Sequence, residues 1–210
     1  FKTHVLGTFH RATRRPLTRQ TILACMDKKL AMLKPDEVKE IVEERKDATV
    51  SFGVDFGSGP ANSSTVAAIL IRYKEDNRYQ IAWIEKRPQE NQLDQARYLN
   101  ALFKSYNCQI GAGDLGYGAI QVKVIQDGGA DRLTGELFTG VGASKFYGCH
   151  SIASDTKPFQ IHEGTTDEHG DEVGKLSIDK TASIQEFIDM LDRRIPDPDH
   201  PNDKEKARTQ

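Results

Sequence analysis

The chain has 210 residues, 37% of them apolar and 29% charged, with a net charge of −2, which suffices for one domain with its own core plus an arm or subdomain. No run approaches the roughly 18 apolar residues of a membrane helix, and no apolar stretch behind a basic start reads as a secretion signal. Cys25, Cys108 and Cys149 are odd in number and far apart, which argues against a disulfide framework and for a reducing compartment.

Charge is uneven along the chain. Residues 1–20 hold Lys2, Arg11, Arg14, Arg15 and Arg19 without an acid, whereas 163–205 are acid-rich. A basic arm can track phosphates, and it serves equally as a solvated linker. The chain opens on Phe1 and stops at Gln210 within a charged segment, as expected of a piece of something longer.

Residues 1–17 read as a linker. Ile22, Leu23, Cys25, Met26, Leu30 and Leu33 form a helical stripe over 18–33. Pro35 with Asp36 and Glu37 opens a second helix, with Val38, Ile41 and Val42 on its apolar face, ending near Asp47. Residues 1–48 are therefore expected to be a linker and helical arm, and 49–210 the main domain. From Thr49 the period changes. Strands are expected at Val50–Asp55, Val66–Arg72 and Tyr79–Glu85, the last two around a turn at Glu75-Asp76-Asn77. Leu93, Ala96, Leu99, Leu102 and Phe103 follow helical spacing, and Cys108–Asp114 is then a strand reached by a helical crossover, hence parallel to an earlier one. Ala119–Gln126 reads as a helix, Leu137–Val141 as a strand, 154–175 as a loop or flap, and Ile184–Leu191 as a helix before the Pro-rich end. A βββαβα order is the core of the ribonuclease-H-like fold, an α/β mixed sheet with flanking helices.

Asp55 closes the first strand before a glycine-rich turn, and Asp114 closes the crossover strand in Gly113-Asp114-Leu115-Gly116-Tyr117-Gly118. Active groups gather beyond the carboxyl ends of strands in an open sheet. Two carboxylates brought together there repel each other unless a cation joins them. Magnesium takes carboxylate oxygens while keeping waters for exchange with phosphate oxygens, and a pair of such ions hydrolyses phosphodiesters. Kept for that purpose, neither carboxylate is expected to stabilise the metal-free fold. An Asp between glycines is also a common turn residue. Lys145, after the Leu137–Val141 segment, is a candidate phosphate contact or a plain surface lysine. Trp83 and Phe103 fit the core by their periodicity. Cys149-His150 with His162 and His169 matches no paired-ligand zinc spacing.

Phe-Gly-Val-Asp-Phe-Gly-Ser-Gly (52–59) and Gly-Asp-Leu-Gly-Tyr-Gly (113–118) resemble the first and second acidic motifs of the terminase large subunit, the DNA-packaging motor of tailed phages. Val5-Leu6-Gly7-Thr8-Phe9 and Ala24-Cys25-Met26-Asp27 are similar to the segment joining its ATPase to its nuclease. The resemblance implies a ribonuclease-H-like endonuclease that cuts double-stranded viral DNA during packaging, with two Mg2+ or Mn2+ ions. Asp55 would bridge both ions and Asp114 would hold one. It also implies partnership with the terminase ATPase domain, the portal and the small terminase subunit, no membrane, and a place in the host cell cytoplasm. There is no Gly-x-x-x-x-Gly-Lys-Ser/Thr stretch, so that ATPase is absent from this chain. The family's third acid is not matched by Asp189, Asp192, Asp197, Asp199 or Asp203, and is expected beyond Gln210. Two alternatives accompany this reading. One is an actin-like or sugar-kinase-like ATPase, whose first phosphate loop Val-Asp-Phe-Gly-Ser-Gly also resembles. The other is a nuclease-like domain that only binds DNA or a portal.

Overall fold

The computed structural model describes residues 22–23, 26, 31–57, 64–88, 90–152, 159–162, 174–192, 194–195 and 208–209. Two compact units are distinguished: Ala31–Lys180, and Phe1–Leu30 together with Thr181–Gln210. In the second, the described elements include helical residues 22–23 and a two-stranded ladder of β10 (Arg194–Ile195) and β11 (Arg208–Thr209). Most of the expected helix over 18–33 lies outside the described residues.

The Ala31–Lys180 unit is built on a seven-stranded mixed sheet. β1 (Ala48–Asp55), β2 (Thr65–Tyr73) and β3 (Arg78–Arg87) form the antiparallel meander expected from their alternation. Along β1, Val50, Phe52 and Val54 are buried while Gly53 and Asp55 are exposed. In β2, Ala67, Ile69 and Ile71 are fully buried. The crossover helix α2 (Gln92–Ser105) starts at Asn91, whose side chain accepts the Leu93 N–H at 2.9 Å and so satisfies one of the orphan donors of the first turn. Its buried Ala96, Leu99 and Phe103 recur at helical spacing. β4 (Ile110–Asp114) pairs with β1 in parallel, as the crossover requires. Then come α3 (Leu115–Asp127), β7 (Phe146–Ile152), β8 (Phe159–His162) and β9 (Lys175–Asp179). The sheet order is β3-β2-β1-β4-β7-β9-β8, with β7 parallel to β4 and β9 parallel to β7. This is a mixed α/β architecture compatible with the ribonuclease-H-like fold.

Three expectations change. The helix α1 (Pro35–Glu44), expected in a separate arm, belongs to the sheet's own unit: Val38 is fully buried in its core, and the Leu33 N–H donates to the Ala82 carbonyl at 2.8 Å. The Leu137–Val141 strand is shorter, and it is not in the main sheet. β6 (Leu137–Thr139) pairs with β5 (Gly128–Ala130) in a separate hairpin, leaving Leu137 82% exposed. Within the expected 154–175 loop, residues 159–162 form β8, an edge strand antiparallel to β9.

α2 and α3 cover one face of the sheet. Phe52, Phe103 and Phe146 meet there with ring centroids 5.9–6.2 Å apart, two of the three pairs edge to face, the arrangement aromatic quadrupoles favour. Trp83 and Phe103 take the core roles their periodicity indicates.

Candidate functional site

β1 ends on Asp55 and β4 on Asp114. Their parallel register pairs Val54 with Gly113, and continued by one residue it sets Asp55 beside Asp114. Lateral neighbours in a sheet point to the same face, on strands about 4.8 Å apart. Phe52 and Val54 fill the face under α2 and α3, so by alternation both aspartates leave the opposite face. Asp55 is exposed and Asp114 half-buried.

Asp114 has a second role. It is the N-cap of α3, with extended backbone (φ −63°, ψ 129°), and its Oδ2 accepts the Gly116 N–H at 3.1 Å. The turn reading and the ligand reading therefore coexist: one oxygen holds the cap, and the other has no partner among the described residues. This changes an expected sign. Removing a capping Asp costs about 1 kcal/mol, so Asp114→Ala should lower the metal-free melting temperature by about 3 °C. Asp114→Asn, which keeps an acceptor oxygen, should lose much less. Equal losses in a melting comparison would show that the cap contributes nothing.

The glycines of the second motif have local reasons. A Cβ at Gly118 would run into the ring of Phe56, and one at Gly113 would come within 2.7 Å of the same ring. At Gly116 a Cβ would stand 2.8 Å from Asp114 Oδ2. Phe56, the residue after Asp55, is buried, so the motif packs the first turn of α3 onto the end of β1. It fixes the two strand ends relative to each other.

The row across the sheet continues on both sides. Asp114 pairs with Cys149 on β7, and Cys149 with Leu176 on β9. Burial first, then the nearby Asp114 carboxylate, pushes the Cys149 thiol up to about 11, with Lys180 acting in the other direction. A thiol so protonated at neutral pH is a poor ligand. His150 follows Cys149 in β7 and points to the other face, and His162 Nε2 lies 2.7 Å from Ser177 Oγ; His169 is outside the described residues.

Lys145 is not brought to the pair. It precedes Phe146, which pairs with Gly111, and its carbonyl accepts the Gly111 N–H at 2.7 Å. It therefore stands just before β7, four residues ahead of Cys149. Asp179, at the end of β9, sits three positions past Leu176 and so on the other face by alternation. Asp189 and Asp192 fall in the helix α4 (Lys180–Asp192), while Asp197, Asp199 and Asp203 lie outside the described residues. Among the described residues no three of His, Cys, Asp and Glu are grouped to hold a metal. Two hard carboxylate donors on one face still suit a largely hydrated magnesium or manganese ion. Sequence reading missed Lys86, at one end of this row, and Lys180, which follows the carboxyl end of β9; only strand register reveals the first.

No family model matches this sequence, and no curated relative does. Among solved structures the chain is similar to the large terminase nuclease from thermophilic phage G20c, at 13% identity, covering 67% of this chain and 81% of that chain with a TM-score of 0.28. A likeness that weak lends no weight to the site, which stands on strand register alone.

Proposed function

We propose that this chain is a divalent-metal-dependent endonuclease hydrolysing phosphodiester bonds of double-stranded DNA during viral genome packaging. The observation that supports it is the placing of Asp55 and Asp114 side by side on one sheet face, at the carboxyl ends of neighbouring parallel strands. Bound there, two Mg2+ or Mn2+ ions would supply an activated water and offset charge on the leaving oxygen. Asp55, exposed and without a hydrogen bond or ion pair among the described residues, would hold both ions. Asp114 offers one oxygen, already oriented by its cap to Gly116. A third carboxylate would come from beyond the described residues. The terminase ATPase domain, portal and small subunit as partners, and the host cytoplasm as location, belong to the same proposal.

Plasmid nicking by this chain tests the reading. Cutting should require Mn2+ or Mg2+, stop with chelator, and show little sequence preference. No metal-dependent cutting ends it. A second reading, a nuclease-like domain that only binds DNA or a portal, is favoured by Asp114's cap and by the lack of a third grouped ligand among the described residues. Chelator-insensitive DNA binding without cutting would establish it.

Metal should stabilise the fold only modestly. Two carboxylates and waters make a partial cage, and a millimolar dissociation constant at about 10 mM metal contributes only about 1.4 kcal/mol. A melting series in manganese should shift by a few degrees, and Asp55→Ala should erase the shift. A large shift at micromolar metal would mean that a full ligand set is already present.

A further inference from the structure

The row holding the two carboxylates has a lysine at one end, and a second lysine follows the carboxyl end of the strand at its other flank. Asp55 pairs with Val66 on β2, and Val66 with Lys86 on β3. Lys86 therefore shares the face of Asp55, two strands away. A β-bulge makes this so. From the turn, β2 and β3 pair as Tyr73↔Arg78 through Leu70↔Ile81, but Ile69 then pairs with Trp83, leaving Ala82 as the extra residue. Without the bulge, Val66 would face Glu85. With it, Glu85 turns to the helical side, where its Oε2 accepts the Tyr98 hydroxyl at 2.9 Å, and Lys86 takes the face of the aspartates. A bulge that re-aims side chains next to a site is a recurrent device.

On the other flank, β9 is the second parallel strand beyond β4; it meets the row at Leu176, and Lys180 follows its last residue, four positions further on, about 13 Å along the strand direction at about 3.3 Å per residue. Both lysines are exposed, and neither has an ion-pair partner among the described residues. From β3 to β9 is five strand spacings, about 24 Å, and with the offset of Lys180 along β9 the two lysines stand about 27 Å apart, or about eight base pairs at 3.4 Å per step along one strand.

We propose that Lys86 and Lys180 bind backbone phosphates of a DNA duplex on either side of the phosphate held over Asp55 and Asp114, so that the duplex crosses the sheet obliquely, from the Lys86 end of this row to the carboxyl end of β9. The proposal rests on the nuclease reading for its central phosphate. Attractive charge is placed at the flanks, away from the middle, where metal ions would supply it.

The test measures metal-free binding of a short duplex by fluorescence anisotropy over a range of salt, for the full chain, Lys86→Gln, Lys180→Gln and the double variant. Each lost phosphate contact should reduce the slope of log affinity against log salt by about 0.9, and the double variant should lose about 1.8. Melting temperatures should not move. Lys74→Gln, the same charge change in the turn after β2, should leave the slope unaltered. Unchanged slopes in the double variant overturn the proposal, as does an equal loss in Lys74→Gln, which would mean that only net charge matters. The nuclease reading is scored separately, by whether the unaltered chain cuts with manganese. Cutting with unchanged slopes sinks the phosphate track alone. No cutting with reduced slopes sinks catalysis and leaves the DNA-binding track.

Discussion

Asp55→Asn should reduce metal-dependent DNA cutting by about 10²-fold or more while leaving the fold and its melting temperature unchanged. The substitution preserves shape and removes only the charge. Asp55 is exposed, and its side chain makes no hydrogen bond or ion pair among the described residues, so the fold does not depend on it. The phosphodiester reaction does, because charge develops on the attacking and leaving oxygens, and losing one preorganised stabilising group there costs about 10²–10³ in rate. Asp114→Asn should lose comparable activity, since the same charge goes while the α3 cap keeps an acceptor. The measurement is the initial rate of plasmid nicking across a manganese titration, with melting curves alongside. Full metal-dependent cutting by Asp55→Asn would remove it from the metal site. Parallel loss of rate and of melting temperature would show that the variant acts through the fold.

The half of the sheet that carries Asp55 and Asp114 was legible because its strands advertise one buried face. Val50, Phe52 and Val54, then Ala67, Ile69 and Ile71, alternate cleanly with exposed or half-buried partners, and Ala96, Leu99 and Phe103 keep helical spacing after them. That run sufficed to predict a crossover strand parallel to an earlier one, with the two aspartates at matching strand ends, and the register shows β1 to be its partner. The other half was not legible. β7, Phe-Tyr-Gly-Cys-His-Ser-Ile, has a glycine where an apolar residue would mark the core, because Leu115 of α3 occupies that space against Gly148. The apolar Leu137–Val141 run looked like a sheet strand, yet Leu137 and Leu133 are exposed in the region of the β5–β6 hairpin. Lys86 was hidden for a different reason: one bulged residue, Ala82, reverses which of Glu85 and Lys86 faces the site, and nothing in the local alternation marks it. Lys145 was singled out because it follows the Leu137–Val141 segment, but that segment lies outside the main sheet and Lys145 is on the approach to β7, not to the carboxylates.

Phe146→Ala should be the most destabilising single change in the sheet core, costing about 3–5 kcal/mol, the range for truncating a buried Phe. For a chain of this size each kcal/mol moves the melting temperature by about 2–4 °C, so a drop of about 10 °C is expected. Phe146 is fully buried and packs its ring against Phe52 of β1 and Phe103 of α2. Those rings cross β4 over Gly111, where a Cβ would stand 2.8 Å from Phe146 Cδ2 and 2.9 Å from Phe103 Cε2. Gly111 is thus required by the aromatic cluster, and Gly111→Ala alone should cost about 1–3 kcal/mol through overpacking. The two changes relieve each other. With Phe146 truncated, the new methyl at 111 enters part of the vacated space, so Gly111→Ala should cost less in the Phe146→Ala background, by at least about 0.5 kcal/mol of coupling. Relief stays partial because the Phe103 ring and the Phe52 carbonyl, 3.1 Å from the same Cβ, remain. Denaturant melts of the four proteins of this cycle decide the matter. Additive costs would mean that β4 moves to accept a side chain at 111 without help from Phe146, and that the spacing of β4 from the aromatic cluster, three residues before Asp114, is not set by that ring.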